Sequence, residues 1–302
     1  MTRAGVAPPP GRQGPGPLPR ELLQALDLRL ARRSASPLPG DHMAPGVGTG
    51  TELAQLRPYV VGDDVRQLDA AATARTGEPH VRLQVPERAL TTWLVLDVSP
   101  SMAFGTADRL KADVAGGVAL AVGGMAVRRG GRLALLAFGS PKPTVLPPRG
   151  GRDALAAVRR AVDEGVAADG RRLERGLADG LARVGRMSRA SGLVVVISDF
   201  RDEDAWERPL RRLSQRHSVL GVEIRDPREE ELPAVGRLVL VDPENGRTID
   251  VDTRNRGLRE RFAAAERERR AGLATAFRRA NVEHIPLSTS GTWLRDLGRK
   301  LR

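Results

Sequence analysis

The sequence predicts an α/β fold in which a mainly parallel sheet carries helices on both faces. Three observations lead there. From Thr92 onward, strand-like runs alternate with helical patterns, the signature of parallel strands joined by crossover helices. The runs Trp93–Leu96, within the strand Thr92–Asp97, and Leu193–Ile197 are continuously apolar, as strands covered on both faces are. Each apolar run ends in polar residues, Asp97, Ser99 and Ser101 in one case and Ser198 and Asp199 in the other. Ligands of open parallel sheets sit outside the carboxyl ends of the strands. Asp97, Ser99 and Ser101 place three oxygens on one tight turn, which suits a hard divalent cation such as Mg²⁺.

The elements follow in order. Residues 1–19 are rich in Pro and Gly without periodicity and read as a disordered tail. Glu21–Arg33 spaces its leucines as an amphipathic helix, and Ser34–Gly50 reads as a loop. In Arg57–Arg75, Gly62-Asp63-Asp64 reads as a turn, and Arg66 can reach Asp69 across one helical turn. Val81–Val85 alternates as a short strand.

Thr92–Asp97 is then the first buried strand. Ala107–Arg129 is a long helix whose Gly116, Gly117, Gly123 and Gly124 would let it lie close on the sheet. Arg132–Phe138 is a strand, and Thr144–Leu146 a short edge strand. Asp153–Val162 and Leu173–Met187 are helices, Leu193–Ile197 a strand, Glu203–Gln215 a helix and Ser218–Ile224 a strand. Arg237–Asp252 breaks the alternation and reads as a β-hairpin turned at Asn245-Gly246. It and Val81–Val85 are expected outside the main sheet, pairing as a small accessory sheet. Asn255–Ala280 is a long charged helix, Val282–Leu287 a last strand and Thr292–Leu301 a closing helix. The expected organisation is a tail at 1–19, an N-terminal segment at 20–91, and an α/β domain at 92–302 with a hairpin insertion near 237–252.

Composition bounds the function. Hydrophobic residues make up 40% of the 302, enough for a core. There is no cysteine, which excludes disulfide scaffolds and thiolate metal sites and is compatible with a reducing compartment. The net charge is +12, and the only lysines are Lys111, Lys142 and Lys300. So Arg-heavy a chain fits a GC-rich genome, or attraction to an acidic partner. Aromatics are 3%, which leaves few stacking platforms for single-stranded nucleic acid. The N-terminus has no apolar signal region. Val114–Val127 is too short and too Gly-rich to span a bilayer and reads as a buried helix. A cytoplasmic location is expected.

Asp97, Ser99 and Ser101 after a buried strand resemble the first motif of a von Willebrand factor A domain, the metal-ion-dependent adhesion site. Together with RPYVVGDDVRQLDAAATAR at Arg57–Arg75, they resemble a bacterial family of unknown function, von Willebrand A proteins often encoded beside MoxR-type AAA+ ATPases. The resemblance covers Glu21 to the last residue. It implies a doubly wound, mainly parallel sheet of von Willebrand A (Rossmann-like) type with a small accessory β element. It implies metal ligands Asp97, Ser99, Ser101 and Asp199, and Mg²⁺ or Mn²⁺ as the ion. The Thr of the family's second loop is absent, and Arg171 occupies its place. A divalent ion bound through the four ligands, an Arg171 guanidinium substituting for that ion, and plain turn or cap roles for these residues all stay open.

The resemblance further implies a non-enzymatic interaction module. Its partner would be a MoxR-type ATPase offering an Asp or Glu, with complex assembly or maturation as the task. Asp63, Asp64, Arg66 and Asp69 are candidates for a partner surface, although Ala70 stands where the family usually has Trp. Two other readings exist. One is a Mg²⁺-dependent phosphatase-like enzyme with Asp97 as nucleophile, for which Ser99 replaces the expected acid. The other is anionic-surface or nucleic-acid binding by Arg254–Arg279, where Glu260, Glu266 and Glu268 interleave as on a solvated helix.

Overall fold

The structure is a computed structural model that describes residues 52–85, 90–167, 176–202, 205–243 and 245–300. The expected tail at 1–19, the helix Glu21–Arg33, the loop Ser34–Gly50 and Arg171 lie outside the described residues. The chain divides into two compact units, whose described parts are 52–85 and 90–300.

In the smaller unit, β1 (Glu52–Pro58) pairs antiparallel with β2 (His80–Val85). Between them lie a 3₁₀ turn at Val65–Gln67 and α1 (Ala70–Thr76). Asp64 and Asp69 are the N-caps, accepting from the N–H groups of Arg66 and Ala72, which satisfies donors that have no partner within a helix's first turn. Gly77 closes α1 in the left-handed conformation that favours glycine.

The larger unit holds a six-stranded sheet. Its strands are β3 (Thr91–Asp97), β4 (Arg132–Phe138), β5 (Thr144–Arg149), β6 (Leu193–Ser198), β7 (Ser218–Arg225) and β10 (Glu283–Ser288), in the order β10-β7-β6-β3-β4-β5. All neighbours are parallel except β5, which closes the edge antiparallel to β4. Side chains alternate between two cores, as the pleat requires. Leu94, Leu96, Leu135, Val195 and Ile197 face α2 (Lys111–Arg128), α3 (Gly151–Asp163) and α8 (Trp293–Lys300). Trp93, Val95, Leu136, Val194 and Val196 face α4 (Leu177–Met187), α5 (Glu207–Ser214) and α7 (Arg256–Arg279). Three helices therefore cover each face.

Four details differ from expectation. First, α2 begins at Lys111, not Ala107. Residues 104–110 form a loop, and Asp113 accepts from the N–H of Leu110 to cap the helix. Second, the glycines of α2 admit mainly other helices. A Cβ at Gly116 would meet Val162 of α3 at 2.6 Å, and one at Gly117 would meet Trp293 of α8 at 2.5 Å. Third, β8 (Arg237–Val241) and β9 (Thr248–Asp252) pair only with each other, while Val81–Val85 belongs to β2 and pairs with β1. The two do not form one accessory sheet, because β1 supplies the partner. The hairpin strands stand where expected, and Asp242 N–H to Arg247 O at 2.8 Å closes the connection between them. Fourth, between β7 and the hairpin lies a single turn, α6 (Pro227–Glu230), that was not expected. Among the described residues, no helix is long and apolar enough to cross a membrane.

Candidate functional site at the carboxyl edge

The first, fourth and neighbouring strands of this sheet leave one place where crossovers diverge. β3 sits between β4 and β6, and the chain leaves β3 toward one side and β6 toward the other. Crevices form at such switch points. Asp97 ends β3 and Asp199 follows β6, so the switch point carries two carboxylates, both almost fully buried.

The β3 loop is held tightly. Asp97 Oδ1 accepts from Ser99 N–H at 2.9 Å, and Asp97 Oδ2 accepts from Ser198 Oγ at 2.6 Å. Ser99 Oγ lies 3.0 Å from Ser101 Oγ. Behind the turn, a Cβ on Gly139 would come within 2.6 Å of Ser99 N, so only glycine fits against it, and its φ of +88° also favours glycine. Burial, together with the neighbouring Asp199 carboxylate, pushes the Asp97 carboxyl up to about 7, against hydrogen bonds from Ser198 and Ser99 that favour the ionised form.

Asp199 is treated differently. Its Oδ2 accepts from Lys111 Nζ at 2.7 Å, and its Oδ1 from Arg201 N–H at 3.1 Å. Burial would raise this carboxyl, but the Lys111 ammonium outweighs it and the Asp199 pKa is lowered. Phe200 follows with φ of 52°, unusual for a large side chain. Its N–H bonds Ser198 Oγ and its ring packs edge-on against Phe277.

Lys111 is the residue that sequence reasoning missed. It is fully buried at the first position of α2, and Nζ also donates to Glu229 Oε1 of α6 at 2.7 Å. Burial alone would lower its pKa, but the Asp199 and Glu229 carboxylates more than offset that and raise it. The aromatic ring of Phe104 covers the ammonium at 5.7 Å. From Glu229 the charges continue along the same edge. Arg201 reaches Glu229 and Glu266, Arg269 joins Glu266 to Glu223, and Glu223 holds His284 and Arg225. Asp226 ties the edge together, accepting from Thr106 N–H and from Thr289 Oγ1.

Asp97, Ser99 and Ser101 carry oxygens of the kind a hard divalent ion takes. The fourth expected ligand does not fit. Asp199 Oδ2 is in contact with an ammonium, and a divalent ion sharing that carboxylate would be repelled by it. As arranged, the residues fit an internal cation better than Mg²⁺ or Mn²⁺. Among the described residues, no three His, Cys, Asp or Glu side chains converge as metal ligands would.

The candidates in the smaller unit divide. Asp63 is bound by both terminal nitrogens of Arg57, at 2.6 and 2.8 Å, and accepts from Val60 N–H. Asp64 and Asp69 are helix caps. Asp69 is only 5% exposed, so it is an internal cap and not part of a surface. The same turn leaves Val60, Val61 and Val65 exposed, Val61 at 95%. On α7, Arg269 and Arg270 turn inward to Glu266, and Arg256 pairs with Glu260, so part of its basic charge is paired.

Read across from β5, the sheet order is third, second, first, fourth, fifth and sixth strand, with the third antiparallel. That order, with polar residues at the switch point, defines a doubly wound α/β domain. The chain belongs to the family described as "Protein of unknown function DUF58", which matches residues 55–272. It is 38% identical over 285 residues to uncharacterized proteins of Mycobacterium tuberculosis and Mycobacterium bovis, covering 92% of this chain and 87% of each relative. Among solved structures it is similar to the conserved hypothetical protein BatB from Bacteroides thetaiotaomicron, with 12% identity, 70% of this chain and 97% of that one covered, and a TM-score of 0.42. It is also similar to the SpRpn10 VWA domain, with 14% identity, 69% and 93% covered, and a TM-score of 0.36.

Proposed function

We propose that the protein is a non-enzymatic interaction module that docks a partner protein at the carboxyl edge of its sheet. The partner is a MoxR-type AAA+ ATPase, and the task is assembly or maturation of a complex. One observation carries the docking reading: Asp97, Ser99, Ser101 and Asp199 meet at the switch point with their carboxylates already held by internal donors. These carboxylates are buried; a partner meets the rim above them, half-buried Ser101 and exposed Phe104 over the Lys111 ammonium, where fixed internal charges set the local potential and favour recognition. A nucleophile, by contrast, needs a free, activated oxygen, and Asp97 has both oxygens engaged and is 5% exposed. The ATPase as partner rests on the family resemblance.

The test is affinity capture of a purified MoxR-type ATPase by the full chain. Ser101 is half-buried at the rim, so Ser101→Arg introduces bulk and charge there, and Asp250→Arg on the hairpin serves as control. Capture that Ser101→Arg reduces at least about tenfold, roughly 1.4 kcal/mol, and Asp250→Arg leaves alone supports the reading. Equal capture by all three moves docking elsewhere. Hydrolysis of a generic phosphomonoester that Asp97→Asn abolishes would replace the reading by the phosphatase one.

A further inference from the structure

We propose that Lys111 is the resident cation of this edge: its ammonium neutralises Asp199 from the α6 side and withholds that carboxylate from a divalent ion, so that the site takes up neither Mg²⁺ nor Mn²⁺. The inference deepens the docking reading by setting what the partner meets there: a charge fixed in the chain, without an open metal position.

Three features of the geometry carry it. The ammonium bridges carboxylates from two separate elements, Asp199 after β6 and Glu229 on α6, at 2.7 Å each. Two nearby carboxylates require a positive charge, and here one is already in place. The position is otherwise a poor one for lysine. Lys111 stands at the first residue of an 18-residue helix, where the helix dipole disfavours a cation. It is also wholly buried, where an unpaired ammonium would be costly. Only its carboxylate partners explain it. Finally, the residue is lysine in a chain whose basic residues are otherwise arginine, apart from Lys142 and Lys300. A compact point charge on a flexible stem can sit between two carboxylates from different directions, whereas a planar guanidinium fork favours one face-on partner.

The experiment uses the full chain freed of metal. Mn²⁺ uptake is followed by loss of the free-ion spin-resonance signal, and thermal unfolding is compared in EDTA, MgCl₂ and MnCl₂. Wild type is expected to leave the Mn²⁺ signal intact and to melt within about 1 °C in all three, since a ligand that does not bind the folded state does not stabilise it. Lys111→Met leaves buried Asp199 without its ammonium and leaves Glu229 with Arg201 alone. It is expected to lose roughly 10 °C in EDTA and to recover part of that with Mn²⁺. Lys111→Arg keeps the charge and stays indifferent to metal.

Stoichiometric Mn²⁺ uptake by wild type overturns the proposal, and so does a Lys111→Met protein as stable and as metal-indifferent as wild type. If Lys111→Met does not fold, wild type and Lys111→Arg decide, because Mn²⁺ uptake by either refutes the assignment and its absence in both upholds it. No partner enters these measurements, so their failure is separate from failure of the docking reading.

Discussion

Ser198 Oγ donates to Asp97 Oδ2 at 2.6 Å, joining the carboxyl ends of β6 and β3 across the switch point. The same oxygen accepts from Phe200 N–H at 3.0 Å and so also fixes the turn that carries Asp199. Ser198→Ala removes both bonds from a buried site. It is expected to destabilise by about 1–3 kcal/mol, the cost of leaving a buried polar group short of a partner, as read by urea denaturation. It also withdraws a donor that favours ionised Asp97, so the Asp97 carboxyl should titrate higher than in wild type when followed by carbon NMR. An unchanged titration would mean that Ser198 does not support Asp97 in solution.

Gly139→Ala tests how firmly the β3 turn is seated. The new methyl would meet Ser99 N at 2.6 Å, at a φ where side chains are strained. Overpacking and backbone strain together predict a loss of roughly 2–4 kcal/mol and a shifted Ser99 amide resonance. A variant with wild-type stability would show that the turn yields easily.

Glu223 contributes to the acid limb of the stability profile, beside Asp199, Asp226 and Glu266, whose carboxyls are also held low. Burial alone would raise its pKa, but hydrogen bonds from His284 and Arg225 and their charges lower it to about 2 from 4.5. A group with a depressed folded-state pKa stabilises above its unfolded value and loses that contribution as pH falls toward the folded one. Stability should therefore drop between about pH 4.5 and pH 2 by an amount on the order of 3 kcal/mol from this group. Glu223→Gln should flatten that limb in denaturant titrations at several pH values. An acid limb as steep as wild type would place the effect on other carboxylates.

The hairpin β8–β9 should be dispensable for folding. Its base is clamped where Thr253 N–H and Thr253 Oγ1 both reach Gly236 O, at 2.8 and 2.7 Å, so its two ends already lie side by side. Residues 237–252 replaced by a short Gly-Ser linker should leave the melting temperature within about 4 °C, because tolerated deletions are those that remove no buried backbone pairing. Collapse of the fold would mean that Val239, Val241 and Ile249, exposed at 64%, 59% and 63%, are covered by something the fold needs.

The sequence pattern makes the sheet legible because its strands are buried on both faces. Arg132–Phe138 is read from its apolar run and observed with the same bounds, and the charged helix is read as Asn255–Ala280, residues that prove to be its two caps. β1 is not legible, since Glu52–Pro58 lacks a strict alternation and its ladder comes from β2. α6 is a single turn, too short for any period, held by an Asp226 capping box. The site is half legible. Asp97, Ser99, Ser101 and Asp199 announce themselves at strand ends. Lys111 pairs with residues 88 and 118 positions away, and contacts at that separation leave no spacing to read. Its one trace is compositional, a lysine kept among arginines.

An ion drawn from solution obeys mass action: its occupancy follows the free concentration around it, and a chelator can empty the position. The ammonium of Lys111 is tethered by its own peptide bond and made once per molecule, in the same polymer as Asp199 and Glu229. Its stoichiometry is one at any dilution. With Lys111 in place, the cation beside Asp199 and Glu229 is set at translation, and no exchange with the surrounding solution removes it.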